Sequence, residues 1–201
     1  MYRIAIELAD VDRSAYATLD LRVARHPSES ERRMLARVLA YALEHEEGID
    51  FGRGIGATED PAVWVKDLRG DVRAWIEVGQ PSIDRLHKAS KRGARVVVYA
   101  YADPAPLLAE LAKSPIHRQE ALEVRVIPPA LLEALEASLT RNEAWTLTVS
   151  EGRLYLTRGA ETLEATIRAS IAARPLRAPI TLTGDYASAI VASRVSAPRV
   201  R

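Results

Sequence analysis

Asp60-Pro61-Ala62-Val63-Trp64-Val65-Lys66-Asp67-Leu68-Arg69-Gly70-Asp71-Val72-Arg73-Ala74-Trp75-Ile76-Glu77-Val78-Gly79 holds two runs rich in β-branched and aromatic residues around a turn signal. Residues 62–68 and 72–78 read as antiparallel strands closing at Arg69-Gly70. That turn sets Trp64 opposite Trp75, Ala62 opposite Glu77 and Asp60 opposite Gly79. Directly opposed residues share a face of the sheet, so Asp60 and Glu77 become diagonal neighbours, about 7–8 Å apart along the backbone. A four-residue loop over 68–71 keeps this register, whereas a three-residue loop breaks it.

Glu77 is a carboxylate inside an otherwise apolar strand. Burying an isolated ionised carboxylate costs several kcal/mol unless something compensates it. A cation shared with Asp60 is one compensation; a solvated sheet face is the other reading. A shared ion held only by oxygen suits magnesium or manganese rather than zinc. It would polarise a phosphodiester and lower the pKa of a bound water, and a nearby ammonium would steady the charge developing on the phosphate. Lys88, on the helix after the Glu77 strand, is the candidate. In the plainer reading it is a solvated helix residue paired with Asp84 one turn earlier.

Working outward, Met1–Glu7 and Tyr16–Arg25 alternate as strands, with Leu19, Leu21 and Val23 on one face. Ser28-x-x-Glu31 fits a capping box opening a helix whose apolar stripe is Met34, Leu35, Val38, Leu39 and Ala42. Phe51-Gly52-Arg53-Gly54-Ile55-Gly56 is a loop or bent strand. It is not a phosphate-binding loop, since no Gly-Lys-Ser/Thr follows. Ser82–Arg92 is a short helix. Arg95–Tyr101, an unbroken apolar run, reads as a central strand covered on both faces. Residues 106–113 are helical, 122–127 form a strand, and Pro128-Pro129 opens a further helix. Trp145–Val149, Arg153–Thr157 and Thr162–Ile167 form a closing antiparallel meander. From Ser170 the pattern weakens into a basic tail interrupted by prolines. The order implies an α/β (α+β) domain over 1–170, a mixed central sheet flanked by helices, with 171–201 as a partly ordered appendage.

The chain has 201 residues, a formal net charge of +1 and no cysteine. Disulfides, thiol nucleophiles and cysteine zinc sites are excluded. The near-neutral charge argues against a global field for duplex DNA, though not against a local basic groove. No apolar run reaches spanning length and the N-terminus does not read as a signal peptide, so a cytoplasmic protein with no membrane association is expected. The four histidines, His26, His45, His87 and His117, lack metal or triad spacing. Arg53 is either a phosphate contact or the ion-pair partner of the acidic cluster 44–47. Trp64 and Trp75 either stack on bases or pack across the hairpin.

Arg25-His26-Pro27-Ser28-Glu29, Phe51-x-Arg53-Gly54-Ile55, Trp64 and Trp75-Ile76-Glu77-Val78-Gly79-Gln80-Pro81 together resemble the YaeQ family of bacterial proteins, from Met1 to about Ser170. The resemblance implies a restriction-endonuclease-like core related to the PD-(D/E)XK nuclease superfamily. Carried over residue by residue, it implies a magnesium or manganese site of Glu29, Asp60 and Glu77. Gly79 stands where the superfamily's strand lysine would be. Some members move that base to the following helix, which here offers Arg85, Lys88 and Lys91; Lys88 is preferred, with Gln80 as an accessory polar group. The implied activity is a divalent-metal-dependent phosphodiesterase or nuclease. The alternative is a non-catalytic module on a degenerate nuclease fold that contacts nucleic acid or a protein of the transcription machinery.

Overall fold

The structure, a computed structural model, describes residues 1–54, 57 and 59–171. The basic tail expected over 171–201 therefore lies outside the described residues from 172 onward. The expected mixed α+β class is the one observed, and its strands are shared between two sheets. The first sheet joins β1 (Tyr2–Asp10), β2 (Ala15–Val23), β8 (Asn142–Ser150), β9 (Arg153–Arg158) and β10 (Glu161–Thr166) in the order β10-β9-β8-β1-β2. Its antiparallel meander β8–β9–β10 docks on β1 through a parallel β1–β8 pairing. The second sheet joins β3 (Ile49–Phe51), β4 (Val63–Lys66), β5 (Val72–Val78), β6 (Arg95–Ala100), β7 (Glu123–Val126) and β11 (Arg168–Ile171) in the order β11-β7-β6-β5-β4-β3. β11 pairs antiparallel with β7.

Period-two burial in β1 (Tyr2, Ile4, Ile6 and Leu8 in; Arg3 and Ala5 out) marks a sheet covered on one face. β5 and β6 are buried on both faces, as the unbroken apolar run of β6 requires. On one side, Ala74, Ile76, Val78, Val97 and Tyr99 join a core built with α1 (Glu31–Leu43), α4 (Pro129–Ala137) and the first sheet. On the other, Trp75, Val96, Val98 and Val124 pack against Leu86 of α2 (Ile83–Lys91) and Leu107 and Leu111 of α3 (Ala105–Lys113). The layers thus run sheet, helices, sheet, helices. Among the described residues no helix is long and apolar enough to cross a membrane.

The hairpin keeps the predicted register: Trp64 pairs with Trp75 and Val63 with Ile76. It closes with one more residue than a four-residue loop. Lys66 pairs with Val72 after a register shift, so Arg73 bulges out and the extra residue is absorbed. Asp67 shapes the turn, its Oδ1 accepting from the amides of Arg69 and Asp71. α1 begins later than read. Its N-cap is Ser30, which accepts from the Arg33 amide, while Glu31 accepts from the Tyr2 hydroxyl at 2.8 Å rather than closing a capping box with Ser28. His26 Nδ1 lies 2.6 Å from Ser28 Oγ and holds the preceding turn.

Candidate functional site

β5, β6 and β7 run parallel, and crevices beyond the carboxyl ends of parallel strands are the usual ligand position in open α/β sheets. A cleft of about 390 Å³ opens at this end of β5, lined by Asp60, Glu77, Gln80, Arg33, Arg37 and Arg85 among others. Four segments converge on it: the N-terminal half of α1, the loop between β3 and β4, the end of β5, and α2.

Glu77 is buried, with Oε1 accepting from Trp75 Nε1 at 2.6 Å and from Arg85 Nε at 2.7 Å. Its Oε2 has no hydrogen-bond donor among the described residues. Burial pushes the Glu77 carboxyl above its ordinary pKa, against the opposing pull of Arg85 and Trp75. Arg85 Nη2 also donates to the Asp60 main-chain carbonyl. One guanidinium therefore touches both acid-bearing segments, and both acids line the same cleft. β4 begins only at Val63, so Asp60 sits in the loop ahead of the strand rather than on the sheet itself.

Close backbone approach fixes that loop. The Gly52 amide donates to Ala62 O at 3.1 Å, and a Cβ at Gly52 would stand 1.9 Å from Pro61 O. Only glycine fits there, which explains the Phe51-Gly52-Arg53 wording of the sequence. Arg53 makes its ion pair with Asp60 rather than with the acidic cluster 44–47. Its Nε and Nη2 clamp Asp60 at 2.6 and 3.1 Å and hold that carboxyl below its ordinary pKa. The Arg53 side chain is 76% exposed, so solvent screens the clamp.

Glu29 lies one residue before the N-cap of α1 and is buried. Arg33 Nη1 and Arg37 Nε reach its Oε1 at 2.9 and 3.3 Å, and Arg37 Nη2 reaches Oε2 at 3.0 Å. Both oxygens are taken, and the Glu29 and Arg37 side chains are 2% and 5% exposed. Glu29 thus aims two arginines at the cleft. Lys88 is exposed and lines a neighbouring hollow of about 260 Å³; of the three bases on this helix, Arg85 meets Glu77. Gln80 lines the cleft, its amide donating to Asp103 O at 3.0 Å.

Gly79 has φ +95°, and a Cβ there would come within 3.3 Å of the Tyr101 ring. A lysine at this position would be held in the left-handed region at a cost of roughly 1–2 kcal/mol. The backbone itself thus disfavours the missing strand lysine. Arg33 and Arg37 were missed by the sequence reading, although their spacing of four and eight residues from Glu29 places all three along one helix face.

The fit of a divalent cation can be judged from these contacts. Glu77 offers an anchored carboxylate with one oxygen unbonded, and Asp60 offers another once exposed Arg53 lets go. Both are hard oxygen donors of the kind magnesium and manganese take. Glu29, doubly engaged, does not offer a free oxygen. Among the described residues no three acidic or histidine side chains are gathered tightly enough to form a metal cluster. The hard donors facing the cleft are thus the carboxylates of Asp60 and Glu77, with Glu29 already engaged by two arginines.

The family model described as YaeQ protein matches residues 1–167. The YaeQ proteins of Salmonella typhi and Escherichia coli (strain K12) are each 28% identical over 170 residues, covering 84% of this chain and 94% of their own length. The crystal structure of YaeQ from Xanthomonas axonopodis pv. citri superposes with a TM-score of 0.77 at 30% identity, covering 85% of this chain and 97% of that one. That of YaeQ from Pseudomonas syringae gives 0.76 at 32% identity, covering 92% and 96%.

Proposed function

The chain belongs to the YaeQ family, and we propose that its cleft is the site of a divalent-cation-dependent phosphodiesterase acting on nucleic acid. The observation that carries this reading is the convergence of Asp60 and Glu77 with Arg33, Arg37 and Arg85 on one cleft. Asp60 and Glu77 would hold magnesium or manganese, whose chemistry there would be polarisation of the phosphodiester and a more acidic water. The protein's own residues do the rest. Trp75 and Arg85 fix one oxygen of Glu77 and leave the other to the cleft. Asp60 exchanges Arg53 for the cation, which frees the Arg53 fork for a phosphate oxygen. Arg33 and Arg37, aligned by Glu29, and Arg85 face the phosphate with fixed positive charge, the role first considered for Lys88. Gln80 contributes a polar wall.

Cleavage of a mixed panel of single- and double-stranded DNA and RNA, with magnesium and with manganese, tests this. Cation-dependent cleavage that falls by two orders of magnitude or more in Glu77→Ala supports it; no cleavage of any substrate, or equal cleavage by the variant, counts against it. The pH dependence has a fixed sign. A proton competes with the cation for Glu77, whose pKa burial raises, so the rate should climb with pH through a value above the ordinary carboxylate range and then level off.

A second reading is favoured by one specific observation: each of the three acids already has an arginine partner. On this reading the cleft binds a phosphate backbone or a protein partner without catalysis. Metal-independent binding to nucleic acid that weakens steeply with salt, with no cleavage, would select the nucleic-acid form.

A further inference from the structure

The hairpin that carries Glu77 presents aromatic and basic groups outside the cleft that the chemistry above does not use. Trp64 is half-buried on β4, with the Lys66 ammonium 3.5 Å from its ring centroid. Its cross-strand partner Trp75 lies under the guanidinium of Arg92, 4.7 Å from the ring. Trp75, Lys88 and Arg92 line the hollow beside the cleft, and Arg85 lines both. Lys88 and Arg92 follow Arg85 at intervals of three and four residues, so the three cations form one stripe along α2. Glu59 and Asp84 also line this hollow, and Glu59 lies 3.9 Å from Arg92. With Arg85 paired to Glu77, Lys88 and Arg92 stand against Glu59 and Asp84, and Lys66 adds a further cation across the hairpin.

Basic side chains interleaved with aromatic rings are the chemistry of a single-stranded nucleic acid, whose bases have exposed π-faces and whose phosphates repeat along the strand. We propose that the outer face of the β4–β5 hairpin, continued by α2, binds the segment of a single-stranded nucleic acid that flanks the cleft. A base stacks on Trp64 by displacing the Lys66 ammonium, and the freed lysine meets a phosphate. Trp75, buried beneath Arg92, acts as packing under the track rather than as a second stacking ring. The strand then passes Arg92 and Lys88 and enters the cleft at Arg85. This inference rests on the cleft reading for its direction, yet its test is separable, since it is read by binding without any divalent cation.

The experiment titrates the full chain with a short oligothymidylate in chelator and follows tryptophan emission and affinity across a salt series. The expected result is quenched emission and binding that weakens with salt. Trp64→Leu should lose most of the quenching and bind about tenfold more weakly, the size of one lost stacking contact. Lys88→Ala, at an exposed helix position, should bind more weakly and flatten the salt slope by about 0.7, one phosphate contact to a single strand. Thermal melts of both variants check that they remain folded. Absence of binding, unchanged affinity in both folded variants, or duplex DNA bound as tightly as the single strand would overturn the proposal. None of these results would remove a cation response carried by Asp60 and Glu77, so the two readings can fail independently.

Discussion

Glu29→Ala is expected to destabilise the protein by about 3–5 kcal/mol in the absence of any metal, the cost of removing one partner from a buried ion pair. The side chain is 2% exposed and accepts from both Arg33 and Arg37. Its loss strands the Arg37 guanidinium, itself nearly buried, with the Ala24 carbonyl and the Phe51 ring as its remaining partners. For a domain of this length the corresponding fall in melting temperature is roughly 10 °C or more. The result separates two roles. A glutamate that serves only as a metal ligand would leave the metal-free melting temperature unchanged or raised, because repulsion among the acids would be relieved. A glutamate that aligns arginines lowers it. Thermal unfolding in chelator, wild type against variant, reads the difference.

An effect of similar size is expected at the opposite end of α1. Glu44, 4% exposed at the helix C-cap, accepts at Oε1 from the Tyr99 hydroxyl at 2.7 Å and from Arg125 at 2.8 Å, and at Oε2 from Arg95 at 2.7 Å. Arg95 and Arg125 are in turn bridged by Glu123. The network ties the end of α1 to β6 and β7, and it places the Tyr99 hydroxyl, otherwise buried in an apolar core, on a charged acceptor. Burial and the neighbouring Glu44 carboxylate push the Tyr99 hydroxyl well above its usual pKa, so it stays a donor. Glu44→Ala leaves that hydroxyl and two guanidinium groups with fewer partners and should again cost about 3–5 kcal/mol. Glu123→Ala, at a half-buried position where both arginines keep Glu44, should cost distinctly less. Denaturant unfolding of the two variants measures the contrast; equal and small losses would show that solvent replaces the network.

Much of this architecture is legible in the residues. The Trp64–Trp75 register follows from turn chemistry, and the sequence reading survives an extra loop residue because Arg73 bulges. The two-faced burial of β6 follows from its unbroken apolar run. The hairpin register placed Asp60 on the sheet, but β4 begins only at Val63, and Asp60 reaches the cleft from a loop held by Arg85. What could not be read were choices decided by tertiary distance. Ser28 and Ser30 both suit a cap, and only the packing of Glu31 on Tyr2 selects Ser30. Arg85 and Lys88 lie one turn apart on the same helix, and only the position of α2 across β5 decides which meets Glu77. His45, beside acidic neighbours in the sequence, is half-buried against Tyr41, its Nδ1 without a hydrogen-bond partner among the described residues. The division of the strands into two sheets depends on β8 pairing with β1, residues some 140 positions apart, for which local pattern gives no signal.

The central claim is that Asp60 and Glu77 bind one divalent cation between them. Calorimetric titration of manganese into the full chain tests it most directly, with Asp60→Ala and Glu77→Ala as companions and Arg53→Ala as the variant that frees Asp60. The account predicts a single site in the wild type, its loss in both acid variants, and equal or tighter binding in Arg53→Ala. No binding by the wild type, or binding that survives Glu77→Ala undiminished, would contradict it.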